Sequence, residues 1–257
     1  MIPVDTASFR PRALRADERG RIIARAVASP SQRAGGGAWR GDDVAPSSGL
    51  RTLWTKEAQL RPIIVAVITE DEQQILPDLL DAFSQVKPRL PEPLAPVLLL
   101  WAAGGGTQPD WHARGDVVFA PERDPDERPF LLAAADLFLA ASPEATEAVY
   151  QAMATALPVI GTTGGSLGKE ISSGGYDANG WLADPGDADA LANAIVQACL
   201  YRPERLRRGT AAAEHVRNLA RRPETDQMLL RDASDPGTQD QQPSEAGWLR
   251  QFPMDAA

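Results

Sequence analysis

Residues 134–165 have the sequence AADLFLAASPEATEAVYQAMATALPVIGTTGG. The apolar runs at 137–139 and 158–160 are typical of short buried strands, and the residues between them have helical spacing. A glycine pair, Gly164 and Gly165, follows the second run. This order predicts a strand, a helix, a strand and a glycine turn, so backbone N–H groups lie at the carboxyl edge of a sheet, where anionic ligands bind.

The same alternation continues on both sides of this segment. The pattern predicts further strands at 62–68, 96–101, 117–119 and 180–183, and helices at 72–86, 129–135, 166–172 and from Asp187 onward. Strands that alternate with helices favour parallel pairing. We therefore expect an α/β fold with a doubly wound parallel sheet of the Rossmann-like type.

The two ends of the chain differ in composition from this central part. We expect residues 1–60 to be an irregular N-terminal extension with one short helix at 17–28, and residues 61–201 to be the Rossmann-like domain. Residues 202–232 are predicted to be a C-terminal helical segment, and the polar residues 233–257 a disordered tail.

Composition limits the classes of function. The net charge of -9 argues against nucleic acid as a partner, and no apolar run is long enough to span a membrane. The single cysteine, Cys199, excludes an internal disulfide and fits a reducing compartment. We expect a cytoplasmic protein, with a plastid as the alternative because the arginine-rich start is typical of targeting peptides, although four acids there argue against one.

Ser142, Pro143 and Glu144 are suited to open the central helix, with Ser142 at the N-cap and Pro143 in the first helical position. On this helix Glu144, Glu147 and Gln151 would then form one polar stripe. Such a stripe is either a solvated face or one wall of a ligand cleft, and the residues alone favour the solvated face.

The turn Thr163-Gly164-Gly165 is suited to positive φ angles that present N–H groups to a diphosphate or an acceptor sugar, although a glycine pair is also common in ordinary turns. Lys169 lies nearby and faces either a phosphate or solvent. The segment is not a Walker motif, because the spacing is one residue short and Glu170 replaces the hydroxyl residue. Neither His112 nor His215 has clustered ligands, so no metal site is indicated.

One ordered set of short motifs resembles the donor-binding half of GT-B glycosyltransferases, and the glycogen and starch synthase branch in particular. The set is Ala135-Asp136, Ala152-Met153, Pro158-Val159-Ile160 and Thr163-Gly164-Gly165. The resemblance covers residues 61–201 and implies a single GT-B half-domain. It also implies retaining transfer of glucose from ADP-glucose or UDP-glucose to an α-glucan, with no metal and no cofactor.

The resemblance also implies roles for individual residues. Glu144 would lie beside the donor sugar as the catalytic residue, and the donor-binding residues would be Gln151, Thr163, Gly164, Gly165, Glu147, Lys169 and Gly104. Gln151 would contact the ribose, and the residues of the glycine turn would contact the diphosphate. Gly104 begins a triple glycine that follows the second predicted strand.

The chain departs from the family pattern after its first strand. Thr69 and Gln74 occupy the two positions where the family has cations, and residues 70–72 are all acidic. At about 150 residues per domain we expect this sequence to supply the donor half without the acceptor half, and therefore little or no transfer by this chain alone. Two alternatives stay open: a catalytically dead GT-B-derived module that binds a protein or glycan, and a fragment of a longer product. A nucleotide sugar is the expected partner, with an α-glucan and a separate acceptor-domain chain as further candidates.

Overall fold

In the part of the chain that the structure describes, six parallel strands form a single sheet in the order β3-β2-β1-β4-β5-β6. The structure, a computed structural model, describes residues 4–27, 61–102, 116–121, 124–144 and 146–221. The strands are β1 Ile63–Ile68, β2 Val97–Ala102, β3 Val117–Pro121, β4 Leu137–Leu139, β5 Val159–Thr162 and β6 Gly180–Ala183. This arrangement confirms the predicted doubly wound, Rossmann-like sheet.

Helices cover both faces of the sheet. Within the described residues they are α1 Ala16–Val27, α2 Leu76–Ser84, α3 Arg128–Ala134, α4 Glu147–Ala154, α5 Leu167–Glu170, α6 Ala188–Leu200 and α7 Arg202–Arg221. Helices α2 and α6 pack on one face, and α1, α3, α4, α5 and α7 contribute to the core on the other. Among the described residues, no helix is both long and apolar enough to cross a bilayer.

The burial of β1 on both faces of the sheet explains why this strand is apolar at every position. Val65 and Val67 belong to the core on one face of the sheet, and Ile64, Ala66 and Ile68 belong to the core on the other. Successive side chains of a strand point to opposite faces. A strand covered on both sides must therefore be apolar at every position, as expected for a parallel sheet.

Most predicted elements lie within a few residues of their observed bounds. Strand β6 and helix α1 are where the sequence places them, and Asp187 caps α6 by accepting a hydrogen bond from the Ala190 amide at 2.8 Å. The helix predicted at 72–86 differs, because a 3₁₀ helix, Glu70–Ile75, precedes α2. Pro77 in the first turn of α2 explains this start, since proline disrupts a helix interior but is tolerated at its beginning.

The predicted start of the central helix was wrong. Helix α4 begins at Glu147 with Thr146 as its N-cap. Ser142 accepts a hydrogen bond from the Glu144 amide at 3.1 Å, a local turn that competes with a helix start. Glu144 therefore precedes the helix and does not share a stripe with Glu147 and Gln151.

The described part of the N-terminal segment belongs to the same compact unit as the sheet, residues 2–220. Ile23 and Ala26 of α1 are buried in the core. Arg19 of α1 forms an ion pair with Asp136 and donates to the Ala134 carbonyl oxygen at 2.7 Å. Residues 28–60 and the predicted tail at 233–257 lie outside the described residues.

Candidate functional site

Three loops meet at the carboxyl edge of the sheet, after β4, β5 and β6. The Leu167 amide donates to the Pro143 carbonyl oxygen at 2.9 Å, which joins the loops after β5 and β4. The Thr163 hydroxyl donates to Asp184 at 3.0 Å, which joins the loops after β5 and β6. The glycine turn is thus fixed between its neighbours. Asp184 was not among the predicted site residues, although its place directly after a predicted strand was a usable signal.

Glu144 lies against the glycine turn. One oxygen of its carboxylate accepts hydrogen bonds from the Ser166 amide at 3.1 Å and the Ser166 hydroxyl at 2.6 Å. The hydroxyl and then the amide of Ser166 hold the pKa of Glu144 below its usual range, with a smaller contribution from the charge of Lys169. Glu144 is therefore ionised at neutral pH.

The glycine pair adopts the predicted positive φ angles, 130° at Gly164 and 51° at Gly165. A Cβ atom at Gly165 would overlap the Glu144 carboxylate and would lie 2.6 Å from the Pro143 carbonyl oxygen. Both the backbone conformation and the close approach of the preceding loop therefore require glycine at position 165.

The turn leaves two backbone donors for a ligand. The Thr163 amide donates a hydrogen bond to the Ala183 carbonyl oxygen at 2.7 Å, and the Ser166 amide donates to the Glu144 carboxylate. Within the part of the chain that the structure describes, the amides of Gly164 and Gly165 have no hydrogen-bond partner, and both residues are exposed. Adjacent free N–H groups in a turn form a concavity that binds anions.

Gln151 is buried, with 4% of its surface exposed, whereas Glu144 and Glu147 are exposed. The solvated face favoured from the residues alone is therefore wrong for Gln151 only. Its amide nitrogen donates to Glu147 at 2.7 Å, and its amide oxygen accepts from Arg128 at 3.1 Å. Sequence reasoning missed Arg128. A cation in the first turn of α3 is unfavourable beside the helix dipole, and that anomaly was a signal for another role.

In the turn after β1, the carboxylate of Glu72 is bound by Thr69. The Thr69 amide and hydroxyl each donate to the Glu72 carboxylate at 2.9 Å. Gln74 is exposed. Neither Thr69 nor Gln74 is basic, so the described part of this turn carries the negative charge of Glu72.

Four residues named in the sequence analysis remain: Lys169, Gly104, His112 and His215. Lys169 is exposed, and its charge acts on Glu144. Gly104 and His112 lie outside the described residues. His215 pairs with Glu170 at 2.7 Å. In the described ranges, no group of three or more His, Cys, Asp or Glu side chains is arranged to hold a metal ion.

The strand order defines a doubly wound, Rossmann-like domain, a class of fold that binds its ligands at the carboxyl ends of the strands. The family model described as "Glycosyl transferases group 1" matches residues 61–200. The chain belongs to this family of glycosyltransferases.

Solved structures have the same fold at low sequence identity. Sucrose-phosphate synthase from Thermosynechococcus elongatus is 20% identical with a TM-score of 0.58, over 90% of this chain and 51% of that one. The catalytic domain of starch synthase IV from Arabidopsis thaliana, bound to ADP and acarbose, is 13% identical with a TM-score of 0.55, over 90% of this chain and 48% of that one.

A third similar structure is an isolated C-terminal domain. The C-terminal domain of the group 1 glycosyl transferase LpcC from Francisella tularensis is 15% identical with a TM-score of 0.55, over 84% of this chain and 97% of that domain. The chain thus spans about half the length of the two synthases and most of the isolated C-terminal domain. No curated protein sequence matches the chain significantly.

Proposed function

We propose that this chain is the donor-binding half of a glycosyltransferase that takes ADP-glucose or UDP-glucose and transfers glucose to an α-glucan with retention. One arrangement supports this proposal above all others. The ionised Glu144 carboxylate lies beside the exposed amides of Gly164 and Gly165, which have no partner among the described residues. A negative group for the sugar and two donors for the diphosphate are thus side by side.

The chemistry of transfer uses both parts of this arrangement. As the bond between the anomeric carbon and the diphosphate oxygen breaks, negative charge grows on the diphosphate and positive charge on the sugar ring. The amides of Gly164 and Gly165 would bind the departing diphosphate, and fixed donors of this kind lower the barrier. Glu144 would stabilise the positive charge near the anomeric carbon.

Gln151 and Glu147 extend this site toward the nucleoside. Gln151 is held by Arg128 and Glu147, so its amide is fixed in one orientation. A ribose hydroxyl would meet this polar group at the start of α4. Lys169 would reduce the negative charge around a bound diphosphate.

A specific observation favours a second candidate function, a catalytically inactive GT-B-derived module that binds a glycan or a protein. Just after β1, the Glu72 carboxylate accepts a hydrogen bond from the Thr69 amide. Neither Thr69 nor Gln74 is a cation. Loss of one charge-stabilising contact in a transferase typically costs about 2–4 kcal/mol of transition-state stabilisation. We therefore expect transfer by this chain alone to be slow under the first candidate and absent under the second, and an acceptor-domain chain is a proposed partner.

Titration calorimetry with ADP-glucose and UDP-glucose tests the donor site, together with transfer of labelled glucose to glycogen. Binding with transfer supports an active enzyme, and binding without transfer supports a donor module that lacks its acceptor half. No heat at millimolar nucleotide sugar overturns the donor site and leaves the inactive module. Gly165→Val is the matched negative control for binding.

A further inference from the structure

The loop after β6 brings an acid, Asp184, to the glycine turn, and the proposed function assigns it no role. Asp184 directly follows the last residue of β6. The Asp187 amide donates to the Asp184 carbonyl oxygen at 3.1 Å, and Gly186 has a φ of 78°. Pro185 at the second position and a glycine with positive φ at the third are typical of a type II turn. The backbone that carries Asp184 therefore has a defined conformation between β6 and α6.

The hydrogen bond between Thr163 and Asp184 fixes the direction of the Thr163 hydroxyl. The hydroxyl donates to the Asp184 carboxylate at 3.0 Å. A hydroxyl has one proton to donate and two lone pairs that accept, whereas a carboxylate only accepts. Thr163 is partly exposed, and its hydroxyl oxygen accepts no hydrogen bond from the residues that the structure describes. A ligand at the turn therefore meets Thr163 as an acceptor.

The turn lies between two prolines of the neighbouring loops. A Cβ atom at Gly164 would lie 3.7 Å from Pro185, in the loop after β6, and 4.0 Å from Pro143, in the loop after β4. Both loops thus reach the same glycine. The side chains next to these prolines, Asp184 and Glu144, are therefore brought to one small region.

An acid is bound at each end of the glycine turn. Asp184 accepts from Thr163 at the start of the turn, and Glu144 accepts from Ser166 at its end. Thr163 and Ser166 are three residues apart, a separation that spans at most about 11 Å. The two free amides of the glycine pair lie between them. A ligand at this turn therefore meets hydrogen-bond donors in the middle and acceptors on both sides.

This arrangement distinguishes the parts of a nucleotide sugar. Phosphate oxygens are negative and accept hydrogen bonds, so the two glycine amides suit them. The Thr163 oxygen offers a phosphate no proton, and the Asp184 carboxylate repels it. A sugar hydroxyl carries a proton and no charge, so it can donate to Thr163. Unpaired acceptors and like charges exclude a wrong ligand as effectively as new contacts favour the right one.

We propose that Thr163 is a specificity-determining residue that accepts a hydrogen bond from a hydroxyl of the donor sugar, and that Asp184 is the positioning residue that directs the Thr163 proton away from the ligand. The pair would select a neutral sugar over a sugar acid such as glucuronate. This inference rests on the proposed function and extends it, because it moves Thr163 from the diphosphate to the sugar.

Calorimetry on the full chain tests the inference with three ligands that share one base. These are UDP, UDP-glucose and UDP-glucuronate, or the matching adenosine compounds if the wild type binds ADP-glucose instead. Thr163→Val removes the hydroxyl, and Thr163→Ser keeps it. Asp184→Asn removes the charge and keeps an oxygen that can accept from Thr163. Asp177→Asn is the matched control, because Asp177 is exposed in the loop before β6, at the opposite edge of the sheet.

We expect the wild type to bind the glucose compound at least tenfold more tightly than the glucuronate compound. Thr163→Val should bind the glucose compound about three- to tenfold more weakly, because one hydrogen bond is lost, and should bind the nucleoside diphosphate as the wild type does. Thr163→Ser should match the wild type. Asp184→Asn should bind the glucuronate compound about three- to tenfold more tightly, because one nearby like charge is removed. Asp177→Asn should change neither affinity.

Equal wild-type affinity for the glucose and glucuronate compounds overturns the inference and leaves the proposed function intact. Full affinity for the glucose compound in Thr163→Val does the same, and so does a loss of nucleoside diphosphate binding, which would place Thr163 at the diphosphate. Circular dichroism checks that each variant is folded. If Thr163→Val is unfolded, unchanged discrimination in Asp184→Asn overturns the inference. No binding of either nucleotide glucose by the wild type overturns the proposed function itself.

Discussion

Glu144 and Ser166 are joined by two hydrogen bonds, at 3.1 Å from the amide and 2.6 Å from the hydroxyl, across 22 residues of sequence. This contact ties the loop after β4 to the turn after β5. It therefore positions the acid beside the exposed amides of Gly164 and Gly165. The contact depends on an ionised carboxylate, so both acid and mutation should weaken it.

The contact has a defined pH dependence. Ser166 lowers the pKa of Glu144 in the folded chain below its usual 4.5, so the stabilisation is complete above the usual value and is lost as the pH falls through the lowered value. NMR titration of the Glu144 carboxyl carbon should give a pKa below 4.5 that rises in Ser166→Ala. The same pKa in both proteins would contradict the contact.

Substitution of Gly165 should abolish donor binding. In Gly165→Val the side chain would meet the Glu144 carboxylate and the Pro143 carbonyl oxygen, and its φ of 51° is unfavourable for valine. We expect nucleotide-sugar affinity to fall more than tenfold in calorimetry. The control is Gly174→Ala, because no heavy atom lies within 4 Å of the added Cβ. Equal affinity in the two variants would refute the role of the turn.

Glu144→Gln should act on the sugar rather than on the nucleotide. The neutral amide loses the negative charge that is proposed to lie beside the donor sugar, and a hydrogen bond to a charged group contributes about 1.5–3 kcal/mol. We therefore expect UDP-glucose binding to weaken about tenfold while UDP binding stays the same. The exposed Glu92→Gln is the control. A parallel loss for UDP would place Glu144 near the nucleotide instead.

Asp136 should matter for stability at the opposite edge of the sheet. Its carboxylate accepts from the Ile63 amide at 2.9 Å, pairs with Arg19 and lies 3.6 Å from Arg205. Asp136→Ala leaves these donors without their acceptor, so the free energy of unfolding should fall by about 1–3 kcal/mol in urea titrations.

The control for Asp136 is Asp189→Ala, which removes an ion pair whose aspartate is 72% exposed. Exposed pairs contribute at most about 1 kcal/mol, so this variant should be close to the wild type. If both variants lost the same stability, the partly buried position of Asp136 and its several donors would have no special effect.

Cys199 should be inert in the folded chain. Burial raises the pKa of its thiol to about 12, and 1% of its surface is exposed. The thiolate is the reactive form, so at pH 8 a disulfide reagent should react only as the chain unfolds. The labelling rate should then rise in step with denaturant. Complete labelling of native protein within seconds would show that α6 is not packed as described.

The alternation of strands and helices was predictable because it depends on local preferences and burial. The uniformly apolar run of β1 indicates a strand that is buried on both faces of a parallel sheet. Gly164 and Gly165 tolerate the positive φ angles that the turn requires. The start of α4 was not predictable in the same way. Ser142 and Pro143 are good helix-opening residues, yet their polar groups bind Glu144 and Leu167 instead.

Local preferences thus specified the order of the elements, the sheet type and the position of the glycine turn. Tertiary packing alone decided that Glu144 meets Ser166, that Gln151 is buried beneath Arg128, and that Arg12 covers Phe130. Each of these contacts joins residues more than 20 positions apart. Side-chain partners at such separations depend on how the helices and loops pack on the sheet, and no local pattern encodes that.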